Sequence, residues 1–296
     1  MDWTCFFASL FVFTGNLLLA IWAGIERSRP TFQWDQYRKL DPDFLESHWN
    51  DRRDLAGLHL SGSFIIAISW VLLTIPLLQA AFILSHGGRR MIWLHTMIAV
   101  LAVAAATTEF VSRLMHIGSW NTGNWISRDF YLDDWGGDPQ KPNGIGWKSL
   151  EITYQLTQGM ILWVDSFEYF ALFGICFCLF LSIRTSPSGL LGGEMCWGGM
   201  GFFIGMLSLA DFVFLIVRFV DWDTYNLVSM TFTILIRLIL LPSWLLLLAF
   251  KLPPAVHEFN ERRAANPITS PLSPSSSVTG NGSPRSPQPS DFTIED

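Results

Sequence analysis

Six apolar stretches constrain this 296-residue chain more than anything else in it, lying near residues 3–25, 58–84, 91–116, 158–183, 196–220 and 226–250. Each reaches the roughly 20 residues that a helix rising about 1.5 Å per residue needs to cross a hydrocarbon core. A segment in lipid must satisfy its backbone polar groups internally. The expected fold is therefore all-α: a polytopic membrane protein with a bundle of six transmembrane helices, whose first partner is the lipid bilayer. Composition agrees, since 50% of residues are hydrophobic and 15% charged, against about 25% charged in soluble domains.

The first stretch, WTCFFASLFVFTGNLLLAIWAGI, follows only Met1 and Asp2. It lacks the basic n-region of a secretory signal and is longer than a typical h-region, so it reads as a retained signal anchor. The transmembrane domain is expected over 1–257, with long loops at 26–57 and 117–157. In the first loop Asp41 can cap a helix whose first position is Pro42. There Phe44, Leu45, His48, Trp49, Leu55 and Ala56 share one side. That predicts a short helix, either interfacial or packed on the loops. The second loop, with Gly, Pro, Asp and Asn among Trp and Tyr, predicts turns that cover the helix ends or form a lid. Residues 258–296 are Ser/Pro-rich and predict a disordered tail. Its four Ser-Pro pairs, at Ser270, Ser273, Ser283 and Ser286, could accept proline-directed phosphate; the plain alternative is a spacer.

Charge between the spans sets the expected orientation. SHGGRR carries two arginines and no acid, DWDTY two acids and no base, and Lys251, Arg262 and Arg263 follow the last span. These place both termini in the cytosol, although Arg27 and Arg29 after the first span point the other way. No basic patch suggests nucleic acid.

Two windows 102 residues apart, EFVSRLMHIGSWNT from 109 and DFVFLIVRFVDWDT from 211, share acid, Phe, Val, Trp and Thr in register, and Ser63-Phe64 finds an echo in Ser166-Phe167. Either spans 2 and 3 are duplicated as 4 and 5, or the likeness is chance in apolar sequence.

The spans also carry charges at one depth. Glu109, Arg113 and His116 lie late in span 3, Asp211 and Arg218 late in span 5, and Asp165 and Glu168 early in the oppositely running span 4. All fall in the half of the bilayer under the long loops, with Arg237 nearer the middle of span 6. Each charge costs about 2.5–3.5 kcal/mol at a helix centre, so these side chains must meet one another or water. Four carboxylates face three guanidiniums, with His116 near the rim. One reading is a site that binds or transports a small solute, ion or proton. The other is a non-catalytic scaffold or interaction protein whose charges are structural salt bridges. The far half of the bilayer is apolar, which argues against an open charge-lined channel.

Catalytic and cofactor chemistry find little footing. There is no HExxH or GxSxG, and no lysine inside a span for a Schiff base. Cys5, Cys176, Cys178 and Cys196 lack metal-site spacing. His59 and His116 at one end of spans 2 and 3, with His86 and His95 at the other, suggest a haem pair. His86 and His95, however, flank a short connection and are expected in headgroup water, so neither cofactor nor metal is assigned. Pro76 and Pro242 are candidate kinks. Gly198, Gly201 and Gly205 suit close helix contact. Trp3, Trp22, Trp93, Trp120, Trp163, Trp197 and Trp222 sit where interface anchors do.

Overall fold

The computed structural model describes residues 1–28, 39–86, 91–132, 142–185, 195–217 and 230–265, with Leu191 and Val228. Its elements are helices: α1 Trp3–Ser28, α2 Pro42–Asp54, α3 Ala56–Leu84, α4 Ile92–Leu132, α5 Pro142–Thr185, α6 Met195–Val217 and α7 Leu241–Ala265, the last entered through a π-helical stretch, Ile234–Leu240. Six helices are long and apolar enough to cross a membrane: α1, α3, α4, α5, α6 and the continuous run from Met230 through α7. Large apolar side chains such as Phe13, Val71, Val103, Phe170, Phe203 and Phe250 are exposed on all of them, a coat suited to lipid. The protein is a multi-pass membrane protein on this architecture.

Packing closes the six into a ring. Each of α3, α4, α5 and α6 packs on the next, while α1 bridges α3 to α7 and its π-helical lead. Small residues set the close approaches. A Cβ on Gly15 would lie 3.1 Å from the Gly62 carbonyl oxygen, and one on Gly205 would lie 3.0 Å from Cys176 Cβ. Trp197 and Trp244 stack at 4.9 Å and 5°, each indole N–H donating to the other's backbone carbonyl at 3.3 and 3.2 Å. Trp197 is 1% exposed. It is a core residue and not an interface anchor, because its polar N–H finds a partner inside the bundle. Trp120 is likewise buried, whereas Trp3, Trp93 and Trp163 are exposed as anchors would be.

The largest departure from the sequence reading is the segment 117–157. Most of it is helical: α4 continues to Leu132 and α5 begins at Pro142. At about 1.5 Å per residue these helices run roughly 60 Å, about twice the hydrocarbon thickness, so the pair projects well beyond the bilayer. Trp147, Leu150 and Tyr154 recur on one face of α5 and pack with Phe44, Leu45 and Trp49 of α2 and with Trp120. So α2, capped by Asp41 accepting from the Asp43 N–H at 3.1 Å, is a packed lid on this hairpin and not an interfacial helix. His95 also departs from expectation. It is buried, with Nδ1 paired to the Met91 carbonyl and Nε2 to Ser182 Oγ, both at 2.8 Å. At the other end α7 runs to Ala265, so residues 258–265 belong to a helix. Ser270, Ser273, Ser283 and Ser286 lie outside the described residues.

The ring puts the start of α1, the ends of α3 and α5 and the end of α7 on one side, with the Asp2 N–H bonded to the Ala249 carbonyl. In a variant stripped of its four free cysteines, single cysteines at exposed Thr185 and Glu261 are expected to react alike with an impermeant thiol reagent. A cysteine at exposed Lys148 is expected to behave oppositely. Labelling of all three in sealed vesicles of one orientation would break the six-span topology.

A candidate site of buried charge

Asp165, Glu168 and Tyr169 fall three and four residues apart, so α5 turns all three to one face. Glu109 and Arg113 do the same on α4. Arg237 arrives from the π-helical stretch, where the chain widens just before Pro242, a residue with no N–H to return to the preceding turn. The five charges form an alternating chain. Arg113 donates through Nε to Glu109 Oε1 at 2.7 Å and through Nη2 to Asp165 Oδ1 at 3.2 Å. Arg237 Nη2 lies 3.6 Å from Asp165 Oδ2 and donates to Glu168 Oε2 at 3.1 Å. Its guanidinium also covers the Tyr169 ring at 4.7 Å, and the Tyr169 hydroxyl pairs with Thr233 Oγ1 at 3.1 Å.

Charge does not balance within this chain. Glu109, Asp165 and Glu168 each bring an oxygen within 4.8 Å of the others. Two unit negative charges at that spacing repel by about 3 kcal/mol at an effective dielectric constant of about 20. Among the described residues two guanidiniums neutralise two of the three. Glu109 Oε2 is buried without a hydrogen-bond partner among the described residues, which is costly for a carboxylate. Three carboxylates could ligate a metal ion. Here both guanidiniums already occupy carboxylate oxygens, and their charge opposes a divalent ion.

Beside the chain lies a cavity of about 420 Å³ between α1, α5, α6 and the π-helical stretch. Asp165, Arg113 and Arg237 form its charged wall, Asp211 lines it from α6, and Asn16, Trp22, Tyr169 and Thr233 complete its polar and aromatic surface. Thus Glu109, Arg113, Asp165, Glu168 and Arg237 of the expected constellation come together, and Asp211 joins them at the cavity. His116 instead stacks outside it, against His59 of α3. Arg218 and the second half of the repeat window lie outside the described residues.

A second buried pair was not foreseen. Arg52 of α2 donates from Nη1 to Glu151 Oε2 at 3.0 Å, with Glu26 Oε1 3.8 Å from its Nε. Its guanidinium lies 4.6 Å from both the Trp49 and Tyr154 ring centroids. Gln155 Nε2 donates to the other Glu151 oxygen at 2.7 Å. Next to it His48 is 4% exposed, and burial, helped by the Arg52 charge, pushes its imidazole down to about 3. The signal was present as Trp147, Leu150 and Tyr154 at helical spacing in a segment rich in turn residues.

Compared with protein families, with curated proteins and with solved structures, the chain matches none.

Proposed function

We propose that the protein is a proton-coupled membrane transporter in which the Glu109, Asp165 and Glu168 carboxylates bind a proton and the adjoining cavity holds a small cationic or zwitterionic solute. The observation that supports this reading is the imbalance of three clustered carboxylates against two guanidiniums inside an apolar bundle. Among the described residues one positive charge is missing beside the three acids, and a bilayer gives a strong reason to supply it. A cavity of about 420 Å³ suits a small molecule. Its Trp22 and Tyr169 walls suit a cation near Asp165. The apolar far half of the bundle implies a gated passage. Arginines and lysines at 184, 251, 262 and 263 favour the side bearing the ends of α5 and α7 as cytosolic, which turns α2 and the α4–α5 projection away from the cytosol.

The competing reading, a static salt-bridge network in a scaffold, draws on the alternation that sets each guanidinium between two acids. Liposomes holding the purified protein and a trapped pH-sensitive dye separate the two. Challenged with small organic cations and amino-acid zwitterions under a pH gradient, the wild type is expected to shift internal pH with at least one of them. Glu109→Gln is expected to abolish the shift with little change in melting, because Arg113 keeps Asp165. No shift with any solute in the wild type would favour the static network.

A further inference from the structure

We infer that protons reach the buried carboxylates from the α2 side through His116, with His59 and Ser63 holding the water that hands them on; this rests on the proton-binding role proposed for the triad. The His59 and His116 rings stack at 4.6 Å and 27°. His59 also stacks on Trp120 at 4.4 Å and 15°, and the Trp22 edge meets it at 4.9 Å. Face-to-face rings cannot hydrogen-bond each other in plane, so these nitrogens need other partners.

Three orphaned atoms mark where those partners belong. His59 Nδ1 and Ser63 Oγ, one turn apart on α3, are buried without hydrogen-bond partners among the described residues, as is Glu109 Oε2 on α4. The three residues are 1%, 0% and 0% exposed. Because α3 and α4 run antiparallel, the turn from His59 to Ser63 descends in the same direction as the turns from His116 to Glu109. The orphans therefore follow one α3–α4 seam from the histidines to the triad. Water, which donates and accepts at once, satisfies such a row. On the outer side a groove of about 320 Å³ between α4 and α5 reaches Met115 and Ser119, next to His116.

The charges around His116 suit a group that gains and loses a proton. Arg113 one turn below repels an imidazolium, and Asp165 from α5 attracts it. His59 from α3 is its stacking partner, and Arg52 from α2 lies 5.7 Å from the far partner ring, Trp120, balanced by Glu151 and Glu26. In the transfer, hydronium on the outer side gives a proton to one His116 ring nitrogen. The imidazolium releases the proton on its other nitrogen to the bridging water, which passes one to a carboxylate. Only N–H and O–H bonds form and break, and the ring ends neutral.

The test follows the part of the carboxyl infrared band that Glu168→Gln abolishes, in the purified protein in lipid nanodiscs after a pH jump from about 8 to about 6, within the range in which histidine changes charge and above that of exposed carboxyls. The wild-type band is expected to rise promptly. His116→Ala is expected to slow the rise by about a hundredfold, in keeping with the loss of a positioned proton-transfer group, and added imidazole to restore it. His59→Phe, which keeps the aromatic stack and removes the nitrogens, is expected to be slow as well. If both variants keep the wild-type rate, or if His116→Ala is slow and imidazole does not rescue it, the relay is overturned while the proton-binding triad stands. If the wild-type band never changes, the triad's role fails and the relay with it.

Discussion

Arg113→Met is expected to lower stability by about 3–5 kcal/mol, the usual cost of removing one member of a buried ion pair. Its guanidinium lies between Glu109 and Asp165 at 2.7 and 3.2 Å and is nearly all buried. Without it, three carboxylates within 4.8 Å share a single guanidinium. Adding Glu109→Gln removes one of the uncompensated acids and is expected to return most of the loss, a coupling that a double-mutant cycle reads directly. The order of effects matters. Glu109→Gln alone leaves Arg113 with Asp165 and relieves the excess of acid, so it should be the mildest of the three variants. Denaturant or thermal melting of the four proteins in one detergent measures this. Wild-type melting of Arg113→Met would mean that the network is hydrated and carries little energy.

Arg52→Met is expected to release α2 from the α4–α5 projection, with a loss again of about 3–5 kcal/mol from stranding a buried acid. Glu151 is 0% exposed and accepts from Arg52 at 3.0 Å, and the guanidinium also rests on Trp49 and Tyr154. The effect should be local, appearing as trypsin cleavage at Arg53 before the bundle melts. His48 gives the same contact a dependence on pH. Its imidazole charges at about 6.5 when free and, buried, only at about 3. The unfolded form therefore binds a proton that the folded form does not. The stability His48 lends is present above about pH 6.5 and is lost as pH falls from there towards about 3. Opening of α2 in the wild type, read as amide hydrogen exchange relative to the intrinsic rate at each pH, should rise over that window and remain slow at neutral pH. A neutral-pH digest in which Arg52→Met stays as resistant as the wild type would show that the pair does not hold α2.

The spans were legible because length and apolarity report directly on the need to satisfy the backbone in lipid. The depth of the charges was legible for the same reason. Glu109, Asp165 and Glu168 could be counted along their helices, and antiparallel order placed them at one level. Their pairing was not legible. Arg237 reaches Glu168 and Asp165 through a π-helical widening before Pro242, and a plain 3.6-residue periodicity does not foresee it. The α4–α5 projection was misread because beyond the bilayer its residues turn polar, and Gly123, Asn124 and Gly146 look like turns when burial is unseen. What fixes that region as helix is tertiary: Trp49 covers Gly123, where a Cβ would lie 2.5 Å from the indole. Trp197 was misread likewise, since an indole at a span end faces either headgroups or a partner such as Trp244, and only packing decides.

The central claim is that the Glu109, Asp165 and Glu168 cluster holds a titrating proton. Infrared titration of the carboxyl stretching band in the purified wild-type protein tests it without knowledge of any solute. A protonated carboxyl band should persist at about pH 6, where exposed carboxyls are ionised, shift in heavy water, disappear as pH rises further, and be missing at that pH in both Glu109→Gln and Glu168→Gln while the proteins stay folded. A folded wild type with no protonated carboxyl band at about pH 6, or one whose band there survives both substitutions unchanged, would contradict it.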